Sequence, residues 1–141
     1  MVGFKIDEKT ITIEEFNQFE ALLEGLKFPD DYKSHMLTYN GGSVPFDYDY
    51  LLSYLDDNNE LIEAKFIRFY SLERIKLTYE KKHEFLFPKL LAIGLIEGGY
   101  LAMGYTKNNY GEIFVFFSSE GPYKVANSFK EFIENLEVVV D

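Results

Sequence analysis

Residues 29–42 read PDDYKSHMLTYNGG, and this stretch says most about the fold of the chain. Pro29 suits the first position of a helix, because its φ is already fixed and its missing N–H would have no partner there. Asp30 and Asp31 follow in the first turn, where negative charge meets the positive end of the helix dipole. Asn40 and the two glycines after it end the helix, because Asn and Gly tolerate the left-handed backbone of a helix C-cap. The stretch therefore predicts a short helix whose apolar face consists of Tyr32, Met36 and Leu37.

Upstream, Thr12 and Glu15 form a capping-box pattern that predicts an earlier helix. Apolar side chains then recur every three or four residues, which is the spacing of one helical face. Gly25 and the Phe-Pro pair that follows it end this helix near Leu26. The residues of its apolar face are Ile13, Phe16, Phe19, Leu22, Leu23 and Leu26.

Downstream, residues 43–63 mix aromatic and acidic side chains and are harder to assign, apart from a turn at Asp56-Asp57-Asn58-Asn59. Residues 64–70 alternate as a strand does. Ser71 then follows as the N-cap of a helix that runs to about Lys82. The apolar side of that helix consists of Leu72, Ile75 and Tyr79.

The C-terminal half is typical of an antiparallel meander. Three apolar segments are separated by short connections that contain glycine, and connections of this kind join antiparallel neighbours. The predicted strands cover residues 86–96, 100–105 and 112–117, and the connections cover residues 97–99 and 107–111.

A second capping-box pattern, Ser128 with Glu131, begins a closing helix. Helices that cluster on an antiparallel sheet make the fold class α+β. We predict a single domain over residues 1–141, with an antiparallel sheet of about four to six strands and helices packed around it. The apolar side of the closing helix consists of Phe129, Phe132, Ile133 and Leu136.

The composition is that of an ordinary globular domain. The chain has 141 residues, of which 47% are apolar and 18% aromatic, and this is too rich in large side chains for a disordered protein. The absence of cysteine excludes disulfides and thiol chemistry and favours a reducing compartment. The N-terminus lacks the apolar segment of a signal peptide, and no apolar run reaches the roughly 18 residues of a membrane span. We therefore expect a cytoplasmic protein that does not bind membranes.

The charge of the chain bears on its partners. The net charge is −10, from 24 acidic and 14 basic residues. Direct binding of nucleic acid needs a basic face and is not expected here. An acidic chain attracts a basic protein partner. The alternative is that the charge serves only to keep the protein in solution.

No catalytic, cofactor-binding or metal-binding constellation stands out in the sequence. His35 and His83 show no metal-ligand spacing, and we expect the first at the edge of a buried helix face and the second in a polar loop. The glycine pairs at 41–42 and 98–99 lack the context of a phosphate loop, and turn geometry explains both. A Ser-His-acid triad stays open, since its members need not be close in the chain. We nevertheless expect no enzyme, no cofactor and no metal.

The run Asp47-Tyr48-Asp49-Tyr50 is the main candidate for a partner-binding surface. It places rigid aromatic area beside negative charge, and both are suited to contacts with Lys and Arg on a basic protein. The alternative is an edge strand or loop whose tyrosines are half buried in the core. Further acidic residues would extend this surface, although the first two could equally belong to a solvated turn: Asp56, Asp57, Glu60 and Glu63.

Four groups of residues, in the same order along the chain, resemble motifs of the SUKH superfamily. The segments FPDDYK and YNGG, at 28–33 and 39–42, are similar to its L-P-x-D-Y-K…Y-N-G-G signature. Three further matches, to an F-x-S-L step, an I-A-I-G…G-G hairpin and an A-x-S-F-x-E-F-x-x-x-L helix, extend the resemblance from about Ile13 to Leu136. They are Phe69-Tyr70-Ser71-Leu72; Ala92-Ile93-Gly94 with Gly98-Gly99; and Ala126 with Ser128-Phe129, Glu131-Phe132 and Leu136.

The sequence departs from the family pattern in two places. Glu97 supplies the acidic residue that often precedes the paired glycines, but Gly104 stands where many members carry Asp late in the next strand. The resemblance therefore implies no role for that Asp in this chain. Residues 43–63 match no family motif, so we expect the choice of partner to reside there.

The SUKH superfamily contains bacterial immunity proteins that neutralise toxins, often nucleases, and fungal regulators of cell-wall assembly and glucan synthesis. The resemblance therefore implies a protein-binding module without catalysis. The first hypothesis that the resemblance implies is an immunity protein for a cognate basic toxin. The alternative hypothesis is a regulatory scaffold for cell-wall or glucan synthesis. The adjacent open reading frame would separate the two.

Overall fold

The computed structural model describes residues 2–22, 27–80 and 90–141. Within these ranges the chain forms four helices and seven strands, which confirms the α+β class. The helices are α1 (Ile13–Glu20), α2 (Asp30–Tyr39), α3 (Leu72–Glu80) and α4 (Phe129–Asn135). The strands are β1 (Tyr48–Leu55), β2 (Leu61–Phe69), β3 (Leu90–Ile96), β4 (Gly99–Gly104), β5 (Ile113–Phe116), β6 (Tyr123–Ala126) and β7 (Glu137–Val140).

The strands described in the structure form one antiparallel sheet in the order β6-β5-β4-β3-β2-β1-β7. The last strand returns after α4 to pair with β1, so the first and last strands of the chain are neighbours. The sheet also curls, and Tyr54 of β1 stacks on Tyr123 of β6 with ring centroids 5.3 Å apart. The sheet thus has more strands than the predicted number of about four to six.

The predicted meander is confirmed in β3, β4 and β5. The part of the first predicted strand before Leu90 lies outside the described residues, as does His83. Strand β2 begins at Leu61, earlier than the predicted start at residue 64, because its N-terminal end pairs with β1 across the predicted turn at 56–59.

The capping box predicted at the start of α1 is present. The Glu15 backbone N–H donates to Thr12 Oγ1 at 3.2 Å, and the Thr12 N–H donates to the Glu15 carboxylate at 3.1 Å. The predicted end near Leu26 is wrong, since α1 ends at Glu20, whose carboxylate accepts a 2.8 Å bond from the Phe28 N–H. Of the predicted apolar face, Phe16 and Phe19 are buried, Ile13 and Leu22 are exposed, and Leu23, Gly25 and Leu26 lie outside the described residues.

Helix α2 begins one residue later than predicted. Pro29 is its N-cap, with a ψ of 148° that is outside the helical range, and Asp30 and Asp31 occupy the first turn as expected. Asn40 adopts the predicted left-handed C-cap with φ 44°. Its side chain donates to the Lys9 carbonyl and accepts from the Leu72 N–H, both at 2.8 Å. Asn40 therefore joins the N-terminal segment, the end of α2 and the start of α3.

The remaining caps are also confirmed. Ser71 accepts from the Arg74 N–H at 3.2 Å and begins α3, whose predicted extension to Lys82 lies outside the described residues. Ser128 accepts from the Glu131 N–H at 3.0 Å and begins α4. The Glu131 carboxylate accepts from the Asn127 N–H at 3.3 Å, one residue before the position that a capping box requires.

The core lies between the helices and the sheet and is mostly aromatic. Rings of α4 meet rings of β2, with Phe69 and Phe129 5.2 Å apart and Phe66 and Phe132 5.9 Å apart. Tyr32 of α2 is fully buried and meets Phe129 edge to face. Such ring pairs add to the stabilisation that comes from buried area alone. This packing holds α2 and α4 against one face of β2.

Candidate partner-binding surface

The predicted surface falls on the hairpin made by β1, the turn at 56–60 and β2, with Asp47 immediately before it. We call this unit the acidic hairpin. Alternation along β1 directs Tyr50, Leu52 and Tyr54 into the core, where each is buried. Strand β1 is therefore an internal strand between β2 and β7, and the alternative of an edge strand is wrong.

The two tyrosines of the Asp47-Tyr48-Asp49-Tyr50 run differ in their exposure to solvent. Tyr48 is 40% exposed, whereas Tyr50 is 4% exposed and donates from its hydroxyl to the Gly3 carbonyl. Burial raises the pKa of Tyr50 above its ordinary value. Tyr50 therefore packs in the core, and its ring is not available for contact with a partner.

Three carboxylates lie together at the base of the acidic hairpin. The Asp141 N–H donates to the Asp47 carbonyl at 3.0 Å, which continues the β1–β7 pairing by one residue. A hydrogen bond to Asp49, together with burial and the Asp49 charge, raises the pKa of Asp141. Lys65 lies 3.6 Å from Asp49 and offsets part of this charge. The base of the hairpin thus offers negative charge to a partner.

The tip of the acidic hairpin is held by its own hydrogen bonds. Asp56 Oδ1 accepts from the N–H groups of Asn58 and Glu60, both at 2.9 Å. Asn59 has a left-handed φ of 61°, which suits a tight turn. Asp56 is therefore a turn-forming residue, and Glu60 is left exposed at the tip.

Asp57 connects the tip to the opposite end of the sheet. Its Oδ2 and the Glu120 carboxylate each lie 3.2 Å from the Tyr123 hydroxyl, which donates to them. Burial, together with these carboxylates, raises the pKa of Tyr123 to about 12. The hydroxyl thus stays protonated at neutral pH and keeps the acidic tip against β6.

Apolar side chains accompany the charge on this hairpin. Leu55 and Leu61 face each other across the last pair of the β1–β2 ladder, and Leu61 is 72% exposed. Glu63 is exposed and lies opposite Ser53. Phe46, just before Asp47, is 93% exposed. Exposed apolar groups within a charged rim are typical of protein interfaces.

Besides strands β1 and β6, which fall in segments left unassigned from the sequence, two features of the structure were not predicted. Strand β7 is one, because its four residues follow α4 directly and only their pairing with β1 identifies them. The other is a groove of about 720 Å³ between α2 and α4, which requires the packing of two distant helices. Its mainly apolar lining includes Phe4, His35, Tyr39, Phe129 and Ile133.

His35 lies in that groove at the edge of the buried face of α2, as the sequence predicted. Its Nε2 donates to the Gly41 carbonyl at 2.7 Å, because a carbonyl can only accept. Burial lowers the pKa of His35 to about 4, so the ring is neutral at physiological pH. This bond ties the end of α2 to the Gly41-Gly42 turn, which is a structural role.

The described ranges contain no group of three or more His, Cys, Asp or Glu side chains placed to hold a metal ion. None of the helices in these ranges is long and apolar enough to cross a membrane. The fold defines a class of small α+β domains in which helices cover one face of an antiparallel sheet.

Within this class, the chain belongs to the SMI1 / KNR4 family (SUKH-1), whose family model matches residues 10–135. The resemblance to the SUKH superfamily is thereby confirmed over most of the chain. Comparison with curated proteins gave no match.

Proposed function

We propose that this protein is an immunity protein that binds a cognate basic toxin and blocks its active site or substrate channel. The observation that carries the proposal is the acidic hairpin, which presents Tyr48, Asp57, Glu60 and Glu63 with the exposed Leu55 and Leu61 on one internally braced unit. A braced tip loses little conformational freedom on binding. The membership of the SUKH-1 family supports a protein-binding role of this general kind.

Charge supports a basic partner. The whole chain has a net charge of −10, and the acidic hairpin concentrates carboxylates at both its base and its tip. Such a surface speeds association with a basic protein and makes the association rate sensitive to salt. A nuclease toxin is a suitable partner, because its own substrate requires a basic cleft.

The proposal contains no catalytic step, no cofactor and no direct contact with nucleic acid or membrane. His35 already uses Nε2 to hold Gly41, which leaves it a poor candidate for acid–base chemistry. A toxin that attacks nucleic acid would act in the cytoplasm, and the cysteine-free sequence is compatible with that compartment.

The test is co-expression with the product of the adjacent open reading frame. We expect that product to be toxic and this protein to restore growth, with a complex that can be purified and measured by calorimetry. The triple variant D57K/E60K/E63K should slow association by about tenfold or more at low salt, since it reverses three charges on the hairpin. E14K, a single reversal on the exposed face of α1, is the control for charge reversal outside the hairpin.

Two results would count against an immunity role. A toxic neighbour whose lethality is unchanged by this protein would contradict it directly. Recovery of wall-synthesis enzymes in a pull-down, with no toxin domain, would favour the regulatory scaffold instead.

A further inference from the structure

The two edges of the sheet differ in how they are protected. Strand β6 carries Lys124, follows Pro122 and has an irregular register with β5. Its Tyr123 is also covered by Tyr54 of β1. A lysine, a proline, a register shift and a covering ring are the devices that keep an edge strand from pairing with other chains.

Strand β7 has none of these devices. Its sequence is EVVV, and it pairs with β1 in an unbroken register. No strand in the described part of the chain pairs with its outer edge. Val138 and Val140 are 43% and 71% exposed. Valine is strongly favoured in strands, so this edge is well suited to accept a further strand.

The hydrogen bond at the end of β7 shows which backbone groups are available. Asp141 and Asp47 form a hydrogen-bonded pair, because the Asp141 N–H donates to the Asp47 carbonyl at 3.0 Å. Such pairs alternate along an antiparallel ladder, so Val139 also directs its backbone groups toward β1. Val138 and Val140 therefore direct their N–H and C=O groups outward, along the open edge.

Charge selects among possible occupants of this edge. Glu137 and Asp141 lie on either side of the valines, and the neighbouring strand β1 contributes Asp49, with Asp47 immediately before it. A second copy paired antiparallel about Val139 would place Glu137 opposite Asp141, and like charges in that position are destabilising. A strand with Lys or Arg at its ends would instead place opposite charges there.

We propose that the outer edge of β7 receives a strand of a protein partner that has an apolar centre and Lys or Arg at its ends. The added strand pairs with the outward N–H and C=O groups of Val138 and Val140, and its basic ends meet Glu137, Asp141 and the base of the acidic hairpin. This mode of binding extends the sheet by one strand. It rests on the proposed function in that the same toxin would supply the strand.

The test uses two capped peptides and nuclear magnetic resonance of the whole protein. The basic peptide is Lys-Val-Thr-Val-Lys and the acidic one is Glu-Val-Thr-Val-Glu. We expect the basic peptide at millimolar concentration to shift the amide signals of Val138 and Val140, and the acidic peptide to leave them unchanged. Equal shifts with both peptides, or none with the basic one, would overturn the proposal.

A matched pair of variants tests the backbone contact itself. Val140→Pro removes an outward N–H and leaves the N–H groups of Val139 and Asp141 free to bond β1. Val140→Thr keeps the N–H and the branched shape. We expect V140P to weaken peptide binding about tenfold or more and V140T to retain it. If V140P does not fold, E137K/D141K serves instead and should exchange the preference toward the acidic peptide.

The same variants separate this proposal from the immunity role. If V140P neutralises the toxin as well as V140T does, the edge is not the binding mode and the immunity role stands. If the basic peptide binds the edge but no toxin is neutralised, the edge site stands and the immunity role fails. A dimer of the wild-type protein that V140P abolishes would place a second copy on the edge and overturn the proposal.

Discussion

Asn40 shows how one residue serves several elements at once. Its left-handed backbone could be read from the Asn-Gly-Gly sequence, because this combination is favoured where a helix ends. The sequence could not predict its two side-chain hydrogen bonds, to the Lys9 carbonyl and from the Leu72 N–H, since both partners are distant in the chain. Those bonds explain why the helix ends on Asn here and not on Gly.

Replacing Asn40 should therefore lower the free energy of unfolding even when the new residue can adopt the left-handed backbone conformation. Asn40→Gly keeps the left-handed conformation and loses both bonds, and we expect the free energy of unfolding to fall by about 2 kcal/mol. Asn40→Asp should cost more, because an oxygen replaces the donor that faces the Lys9 carbonyl. Urea unfolding measures both. The control is Asn59→Gly, at an exposed left-handed position of the hairpin turn, where little change is expected. Equal effects at the two sites would show that only the backbone matters.

The surroundings of Gly104 explain why this chain has glycine where many family members have Asp. A Cβ at this position would lie 2.1 Å from the Asn109 carbonyl oxygen. The loop that follows β4 folds back here, with the Gly111 N–H donating to the Gly104 carbonyl and the Gly104 N–H donating to Glu112. The obstacle is backbone, so a side chain cannot be accommodated by a change of rotamer.

Restoring the family residue should consequently damage this chain. We expect Gly104→Asp to lower the melting temperature strongly or to prevent folding, and Gly104→Ala to lower it as well, because even a methyl group meets the Asn109 backbone. Gly3→Ala is a useful comparison, since its added Cβ would meet nothing within 4 Å and its backbone is not left-handed. A melting temperature of G104A at or above that of the wild type would contradict this account.

At the scale of elements, what could be predicted depended on whether the signal was local. The N-caps at Thr12, Ser71 and Ser128 were predicted correctly, because a cap and its partner lie within three residues. Strands β1, β6 and β7 were missed. Strand β1 lies in a segment of mixed aromatic and acidic residues without a clear pattern, and β6 and β7 are four residues long and are identified only by their pairing with β5 and β1. The sequence therefore identified the residues of the acidic hairpin but did not predict that they form a hairpin.

The N-caps of α1 and α4 offer a direct check at this scale. Thr12→Ala removes the acceptor of the Glu15 N–H and should lower the free energy of unfolding by about 1 kcal/mol, as should Ser128→Ala for α4. Thr12→Ser keeps the hydroxyl and should retain most of the stability. Thr10→Ala, an exposed position just outside the helix, is the control. An effect at Thr10 as large as at Thr12 would show that the cap is not responsible.

At the scale of the whole molecule, the sheet and the helices divide their roles. The helices α2 and α4 cover the aromatic core on one face of β2, while the acidic hairpin and the open edge of β7 lie side by side at one end of the strand order. Overall charge indicated a basic partner, but only the register of β1 and β7 shows that carboxylates and an unpaired strand edge meet at one place. The structure therefore defines the candidate surface more closely than the sequence did. Tyr50 is excluded from it because its ring is buried, and the edge of β7 is added to it.

The stability of the whole domain should also depend on pH through His35. Its pKa is lowered from 6.5 to about 4 in the folded protein, mainly by burial. The unfolded chain therefore binds more protons between these values, and stability is lost as the pH falls from about 6.5 toward 4. The shift corresponds to a loss of about 3 kcal/mol when this range is fully crossed. We expect His35→Gln, which does not titrate and can still donate to Gly41, to show a flatter dependence of unfolding free energy on pH between 7 and 5.

The comparison of slopes, measured by urea unfolding at several pH values, separates His35 from the carboxylates that titrate lower in the range. His83→Gln is the matched control, because it removes the other histidine of the chain and should leave the slope as it is in the wild type. A charged ring would lose its place in the apolar groove among Phe4, Tyr39 and Phe129, so the expected loss follows from burial rather than from a neighbouring cation. If H35Q keeps the wild-type slope between pH 7 and 5, or if H83Q flattens it, then His35 is not the group that links protonation to unfolding.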